Sequence, residues 1–285
     1  MNIQYYPTAA DFLSRAGKSL ARDEARYGLI MGLARILVEN PHTYGKADPW
    51  FCSAGTETDL YAVAMRTPPY KVLLAYFTGD PKDIAERLVA SVSKKSAVIP
   101  GVVGDKELAD LFTKRWCAAS GISIQDTMAQ RIYRLVRVDD VPLSRGKFRP
   151  ATMKDAKLVA AWTHAFNIDT YGPGRNLPET DITPKIVKRE IFLWEDGQPV
   201  SMAAKSRPTD KGMTVNYVYT PPEYRRRGYA TSCVAELCRN ILQSGYRFCA
   251  LYTDLANPTS NSIYKKIGFK EVGDSVEYTF VMPQV

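Results

Sequence analysis

Between Thr214 and Gly245 the chain changes hydrophobic period at one sharply marked point, and that junction constrains the fold more than any other stretch. Thr214-Val215-Asn216-Tyr217-Val218-Tyr219-Thr220 is rich in β-branched and aromatic residues, and Pro221-Pro222 cannot continue a strand ladder. Beyond it, Ala230, Cys233, Val234, Leu237, Cys238, Ile241 and Leu242 recur at helical spacing, and Gly245 stands where a helix would end. A strand that stops abruptly and hands over to a helix puts Arg225-Arg226-Arg227-Gly228-Tyr229-Ala230 at a helix N-terminus.

The first amide N–H groups of a helix have no partner within it, and the helix dipole is positive there, so an anion collects several hydrogen bonds at once. A glycine such as Gly228 lets the backbone come close, because a β-carbon there would hold a phosphate oxygen out of range. Flanking arginines add charge-assisted donors. Three arginines on a basic chain would by themselves indicate a solvated surface or a nonspecific nucleic-acid contact. A free basic patch, however, needs neither the strand before, nor the helix after, nor the glycine between, and the combination points to a diphosphate.

The rest of the chain sets the class. With 285 residues and 45% hydrophobic content it suits one large domain or two ordinary ones with a buried core. No apolar run approaches the roughly 20 residues that span a bilayer, and the polar start Met1-Asn2-Ile3-Gln4-Tyr5-Tyr6-Pro7 lacks a secretory hydrophobic region, so a cytoplasmic protein is expected. Cys52, Cys117, Cys233, Cys238 and Cys249 form no C-x-x-C pair and read as reduced core residues. With only His42 and His164 as imidazoles, no metal site is expected. The net charge of +8 suits nucleic acid, an anionic surface or a polyanionic cofactor, and does not choose among them.

The elements fall in two similar series. In the first half, a helical hairpin over Asp11 to Asn40 precedes a β-hairpin of Trp50 to Ala54 and Leu60 to Met65. A strand over Tyr70 to Phe77, a helix over Pro81 to Ser93, a short strand at Ala97-Val98-Ile99, a helix through Trp116 and a strand over Arg131 to Val138 follow. In the second half a helix over Asp155 to Phe166 precedes the hairpin Ile191 to Trp194 and Val200 to Lys205. Then come the strand Thr214 to Thr220, the helix Tyr229 to Ser244, the strand Phe248 to Thr253, the helix Ser260 to Ile267 and the strand Val276 to Val281. Two copies of one α+β unit are expected, joined near Val141 to Lys147. Where the second half has its arginine-glycine junction, the first has Thr78-Gly79-Asp80-Pro81, and Asp80 would repel a phosphate.

Arg225-x-x-Gly228-x-Ala230 resembles the Q/R-x-x-G-x-G/A acyl-CoA-binding segment of the GCN5-related N-acetyltransferases (GNAT). Val218 to Tyr224 is similar to the strand and turn before that segment, and Asn257 to Phe269 resembles the family's later N-x-x-[AS]-x-x-x-Y-x-x-x-G-F segment. The resemblance implies a mixed α/β (α+β) fold of two GNAT-like domains in tandem, each a mostly antiparallel twisted sheet flanked by helices. Residues 1–140 would be a degenerate copy and residues 147–285 the catalytic, acetyl-CoA-binding one.

By the same resemblance, Val218, Tyr219 and Thr220 would lie along the acyl and pantetheine arm, with Val218 and Thr220 as backbone partners. Arg225, Arg226, Arg227, Gly228, Tyr229, Ala230 and Thr231 would hold the pyrophosphate, Asn257 would touch the cofactor arm, and Tyr264 would be the general acid that protonates the departing thiolate. The implied reaction is acetyl transfer to a small-molecule or peptide amine, with no nucleic acid and no membrane involved, and with room for a homodimer. Met213 to Thr220 lacks the carboxylate that many family members carry as base, leaving Glu190, Glu195, Glu223 and Asp254 as remote candidates. That gap leaves a second reading, a catalytically silent CoA-binding regulator or scaffold. A third is a nucleic-acid binder, or an acyltransferase fed by charged transfer RNA, which the intact CoA motif argues against. The glycine- and proline-rich segment Tyr171 to Pro178 suits a lid, a substrate wall or a plain connector.

Overall fold

The computed structural model describes residues 1–96, 98–172 and 181–282. The first half runs β1 (Asn2–Tyr6), α1 (Ala9–Leu20), α2 (Gly28–Glu39), β2 (Trp50–Gly55), β3 (Leu60–Arg66), β4 (Val72–Tyr76), α3 (Pro81–Lys95), β5 (Gly101–Asp105), α4 (Lys106–Ser120) and β6 (Ile124–Leu135). The second runs β7 (Lys147–Pro150), α5 (Ala156–Tyr171), α6 (Thr183–Val187), β8 (Ile191–Glu195), β9 (Pro199–Ser206), β10 (Gly212–Tyr219), α7 (Tyr229–Gln243), β11 (Phe248–Asp254), α8 (Pro258–Ile267) and β12 (Lys270–Phe280). The order strand, two helices, three strands, helix, strand, helix, strand is the same in both.

Strand pairings repeat with it. β1, β2, β3 and β4 pair antiparallel in succession and β4 pairs parallel with β5, while β7, β8, β9 and β10 pair antiparallel and β10 pairs parallel with β11. This is the mixed, mostly antiparallel α/β architecture expected from the element pattern. The strand expected at Ala97-Val98-Ile99 is instead β5, beginning after Pro100; Ala97 itself lies outside the described residues. The true strand is Gly-Val-Val-Gly-Asp, and its glycines hide a sheet position. A β-carbon at Gly101 would fall 2.0 Å from the Tyr278 carbonyl oxygen and one at Gly104 2.4 Å from that of Leu74, so only glycine lets the neighbouring strands reach their spacing.

The chain divides into two compact units that are not two consecutive segments. The first holds Met1–Ile132, Tyr252–Asn257 and Glu271–Val285; the second holds Tyr133–Leu251 and Pro258–Lys270. The unit boundaries therefore differ from a split into 1–140 and 147–285. β12, the last strand of the chain, pairs antiparallel with β5 inside the first unit, Ser275 with Asp105 through Thr279 with Gly101. A strand is assigned by the ladder it completes, which linear order does not reveal.

Within the first unit, Ile84, Leu88, Val92, Phe112 and Trp116 of α3 and α4 fill one face of the sheet, and Phe12, Leu20, Ile30, Met31 and Leu37 of α1 and α2 fill the other. The second unit has the same two-faced plan. Val234, Leu237, Cys238 and Ile241 of α7 pack with Tyr264 and Ile267 of α8 on one face, and Val159, Trp162 and Ile186 of α5 and α6 pack on the other. Each helix turns one apolar stripe to the sheet, the pattern expected of helices that cover a strand layer. Among the described residues no helix is long and apolar enough to cross a membrane. The five cysteines are free, four of them buried and Cys117 partly so.

Candidate functional site

β10 and β11 run together for only three rungs, Gly212 with Phe248, Met213 with Cys249 and Thr214 with Ala250. On its other side β10 stays paired with β9 as far as Asn216 opposite Ala204, then shifts register before Tyr219 meets Met202. Tyr217 and Val218 thus oppose a single residue, a bulge that needs the positive φ of 48° at Tyr217. Ser201, fully buried on β9, fixes the end of the bulge: its Oγ donates to the Tyr219 carbonyl at 3.2 Å and lies 2.9 Å from Thr220 Oγ1. Val218 and Tyr219 therefore lie on the stretch of β10 that has parted from β11, and Thr220 directly follows it.

Nine residues, Thr220 to Gly228, separate this strand from α7. Arg226 at φ 63° and Gly228 at φ 77° are both left-handed, and Gly228 is the N-cap of α7 with no side chain capping the helix. Tyr229, Ala230 and Thr231 form its first turn. A β-carbon on Gly228 would sit 2.7 Å from Ser144 Oγ, which itself donates to the Arg227 carbonyl at 2.7 Å, while the Ser144 N–H donates to Ser232 Oγ at 2.8 Å. Ser144 thus braces the turn from a distant part of the sequence, and nothing in its surroundings there marks it out.

The three arginines are not equivalent. Arg225 donates from Nε to the Thr220 carbonyl at 2.9 Å, pairs through Nη2 with Asp169 at 2.5 Å and lies over the Tyr219 ring. It ties the turn to α5, and much of its donor set is used within the chain. Arg226 and Arg227 are exposed, and Arg227 approaches the Tyr229 hydroxyl. That hydroxyl donates to Asp196 at 2.7 Å, and the carboxylate beside it raises the phenol's pKa.

Tyr264 lies on α8, 7% exposed, with its ring against Tyr133 and Phe269. Burial pushes its phenol well above the usual range, against a hydrogen bond with Ser260 that acts in the opposite direction, so it holds its proton at ordinary pH. Asn257 belongs to the segment Tyr252–Asn257 of the first unit, and its N–H donates to the Asp254 carbonyl at 3.1 Å.

Of the remote base candidates, Glu195 takes hydrogen bonds from Arg149 and a 3.0 Å contact from Lys147, and these cations hold it below the usual carboxylate range. Glu190 is 3.6 Å from Lys185, Glu223 is exposed, and Asp254 accepts the Ala256 N–H. Glu195 is therefore a strut and a poor base. The lid or wall expected at Tyr171 to Pro178 lies, from Pro173 on, outside the described residues. Among the described residues no cluster of metal-ligating side chains occurs.

The first unit contains the same local geometry with its donors taken. β4 and β5 also separate after three rungs, the last being Leu74 with Gly104. The amide of Tyr76, past that point, donates to Asp105 Oδ2 at 2.8 Å, and Asp105 Oδ1 accepts from Arg26 at 2.6 Å. The helix that follows, α3, has Asp80 as N-cap, accepting from the Lys82 N–H, and Pro81 in its first turn. Both places where an anion or carbonyl would bind are filled by the unit's own carboxylates.

Residues 195–279, which contain both sequence motifs, match the FR47-like protein family. The whole chain shares its fold with solved GNAT structures. A GCN5-related N-acetyltransferase from Sphaerobacter thermophilus superposes with a TM-score of 0.62 at 12% identity, over 99% of this chain and 97% of that one. A GNAT-family acetyltransferase from Colwellia psychrerythraea gives 0.56 at 13% identity over 99% and 100%, and a Drosophila protein gives 0.72 at 14% over 98% of each. No curated protein sequence matches the chain. Along its full length the chain thus shares the fold of these solved structures, at identities of 12–14%. The FR47-like match lies within its second half.

Proposed function

We propose that the protein is an acyl-CoA-dependent N-acyltransferase that moves acetyl from acetyl-CoA to a primary amine by direct attack in a ternary complex, its active half being the second. The observation that carries this is the pairing of a parted, bulged strand with an uncapped α7 that starts at a left-handed glycine. The first leaves strand backbone beside a gap, and the second leaves helix amides facing outward. A diphosphate linked to an extended amide-bearing arm fits both, and a β-carbon at Gly228 would crowd the turn against Ser144 Oγ at 2.7 Å.

In this reading the first-turn amides of Tyr229, Ala230 and Thr231, with Arg226 and Arg227, hold the pyrophosphate. Arg225 serves by holding the turn against Asp169 and Thr220 as well as by its remaining N–H groups. The Val218 and Thr220 backbone would align the arm, and Tyr219 would support it from its buried place against Trp162. Acetyl-CoA supplies a thioester, an acyl group on a good leaving group. A backbone N–H in the bulge polarises the carbonyl that becomes an oxyanion, and Tyr264, protonated because buried, is the acid for the thiolate. With no carboxylate on β10, the amine arrives neutral or loses its proton to water.

Two measurements test this. Calorimetry with CoA should show binding that Gly228→Glu abolishes and Arg226→Ala with Arg227→Ala weakens, and thiol release from acetyl-CoA should depend on an added amine. No CoA binding would sink the proposal. Binding without turnover over a broad amine panel would favour the silent CoA-binding regulator, a reading supported by the missing strand carboxylate. A soluble cytoplasmic setting, tandem duplication of one GNAT unit and a small-molecule or peptide amine as acceptor are parts of the same proposal.

A further inference from the structure

Asn216 is the last residue of β10 in register with β9 before the bulge, two residues ahead of Val218. Its Oδ1 is buried without a hydrogen-bond partner, and so is the Oγ of Ser206 on β9. The register puts both on one face of the hairpin. Ser206 is opposite Thr214 and Ala204 is opposite Asn216, and since side chains alternate, Thr214 and Asn216 share a face with Ala204 and Ser206. Ala204 identifies that face as the one covered by α5 and α6. Phe166 of α5 meets Tyr217 there, edge to face with centroids 5.4 Å apart.

A buried carbonyl oxygen without a partner costs roughly 1–3 kcal/mol, so such atoms are rare and call for an explanation. The first unit supplies a control. In the strand registers, Tyr76 stands two residues past Leu74 of the last rung, as Asn216 stands two past Thr214. Asp105, one past Gly104, corresponds to Leu251, one past Ala250. The first unit closes its gap with Asp105; the second has leucine there and an amide side chain with a lone pair unspent. Asn216 Oδ1 can only accept a hydrogen bond, and an amine nucleophile has N–H bonds to donate.

Taking the acyltransferase reading as its basis, we propose that Asn216 is the positioning residue for the acceptor amine. Its Oδ1 accepts an N–H of the incoming nitrogen on the α5-covered face, and Ser206 Oγ takes a second polar group of the acceptor. The amide cannot remove a proton, so it orients an amine that is already neutral. The rate should then rise with pH along the acceptor's own titration. Replacing the amide by an isosteric carboxylate should add an enzyme-borne base. The flanking Phe166 and Tyr217 favour an acceptor whose amine is carried on an apolar or aromatic body.

The test uses the full chain, acetyl-CoA and a panel of primary amines running from 2-phenylethylamine to polyamines and lysine, with CoA calorimetry in parallel. Asn216→Ala should lower kcat/KM for the best amine about tenfold or more while the CoA Kd stays within twofold, the loss expected for one hydrogen bond to a charged or developing-charge group. Asn216→Asp should keep CoA binding and add a limb to the pH profile of kcat in the carboxylate range, which a merely structural role would not produce. Ser206→Ala should change the ranking of amines. Normal amine transfer by Asn216→Ala, or a pH profile unmoved by Asn216→Asp, would each overturn the assignment. Absence of CoA binding in the unaltered protein, or CoA binding with no amine acylated, would instead overturn the acyltransferase reading beneath it.

Discussion

Substituting Gly228 by alanine tests the turn itself, and the structure sets the size of the effect. At φ 77° a residue with a β-carbon pays about 1–2 kcal/mol relative to glycine. The new methyl would also lie 2.7 Å from Ser144 Oγ, so Ser144 must rotate and surrender its 2.7 Å bond to the Arg227 carbonyl, about 1 kcal/mol more. Gly228→Ala should therefore lower unfolding free energy by roughly 2–3 kcal/mol, read by urea denaturation followed by tryptophan fluorescence. The two contributions separate in a double-mutant cycle. Ser144→Ala alone costs about 1 kcal/mol and removes the obstruction, so Gly228→Ala on that background should cost only the backbone share, leaving a coupling of about 1 kcal/mol. A Gly228→Ala cost below about 0.5 kcal/mol would refute the left-handed turn and the brace together, and a coupling near zero would refute the brace alone.

Tyr264→Phe should lower kcat by about 10²- to 10⁴-fold with the CoA Kd unchanged, measured by thiol release and calorimetry, if the phenol is the acid. Because burial raises its pKa, an enzyme limb near the ordinary phenol value of ~10 should be missing from the pH profile of the unaltered protein. Asp155 takes two hydrogen bonds from Arg149, at 2.8 and 2.9 Å, and these hold its carboxyl down at about 2. A depressed carboxylate stabilises above its unfolded pKa of ~3.9, so that contribution, about 1–2 kcal/mol allowing for solvent screening, should fade as pH drops from ~4 toward 2. Arg149→Ala should flatten that part of an acid-denaturation curve. In the first unit, Asp105→Ala should destabilise by about 3–5 kcal/mol in a denaturant titration, since it strands Arg26 and the Tyr76 amide together.

The fold was legible where periodicity was strong. Leu108, Leu111, Phe112 and Trp116 marked α4, and Val215 to Tyr219 with the prolines marked the end of β10. It was illegible where the sheet is built from residues without side-chain signal. Gly101 and Gly104 carry a strand, and short edge strands such as β1 and β7 are too polar and brief to alternate clearly. The division of the chain was hidden for another reason, because the unit to which β12 belongs is decided by its pairing with β5, a contact across about 170 residues. At the candidate site, the motif located the turn and its glycine. Ser144 and Asp169, which brace the turn and engage Arg225, come from other segments and carry no local pattern. Asn216 did have a faint signal: it is a polar side chain inside an otherwise apolar and aromatic run.

The two units share a topology and differ in how they treat the backbone groups it exposes. Both have a parallel pair that parts after three rungs and a helix that starts just beyond the strand. Parted strands and helix starts expose backbone donors, and a stable unit must satisfy them. The first unit does so internally with Asp80 and Asp105, and each carboxylate also repels any phosphate or acyl oxygen that would compete. The second has Gly228 and Leu251 at these places, neither able to cap or accept. Removing the two plugs together should therefore reveal a latent site if topology alone were enough. Asp80→Gly with Asp105→Leu would copy the second unit's residues into the first. The local turn there still lacks the arginines, with Thr78 and Gly79 in their place, so CoA calorimetry should still show one binding event per chain rather than two. A second CoA site in that variant would mean that strand parting and a free helix start suffice, and that the arginines of the second unit contribute little.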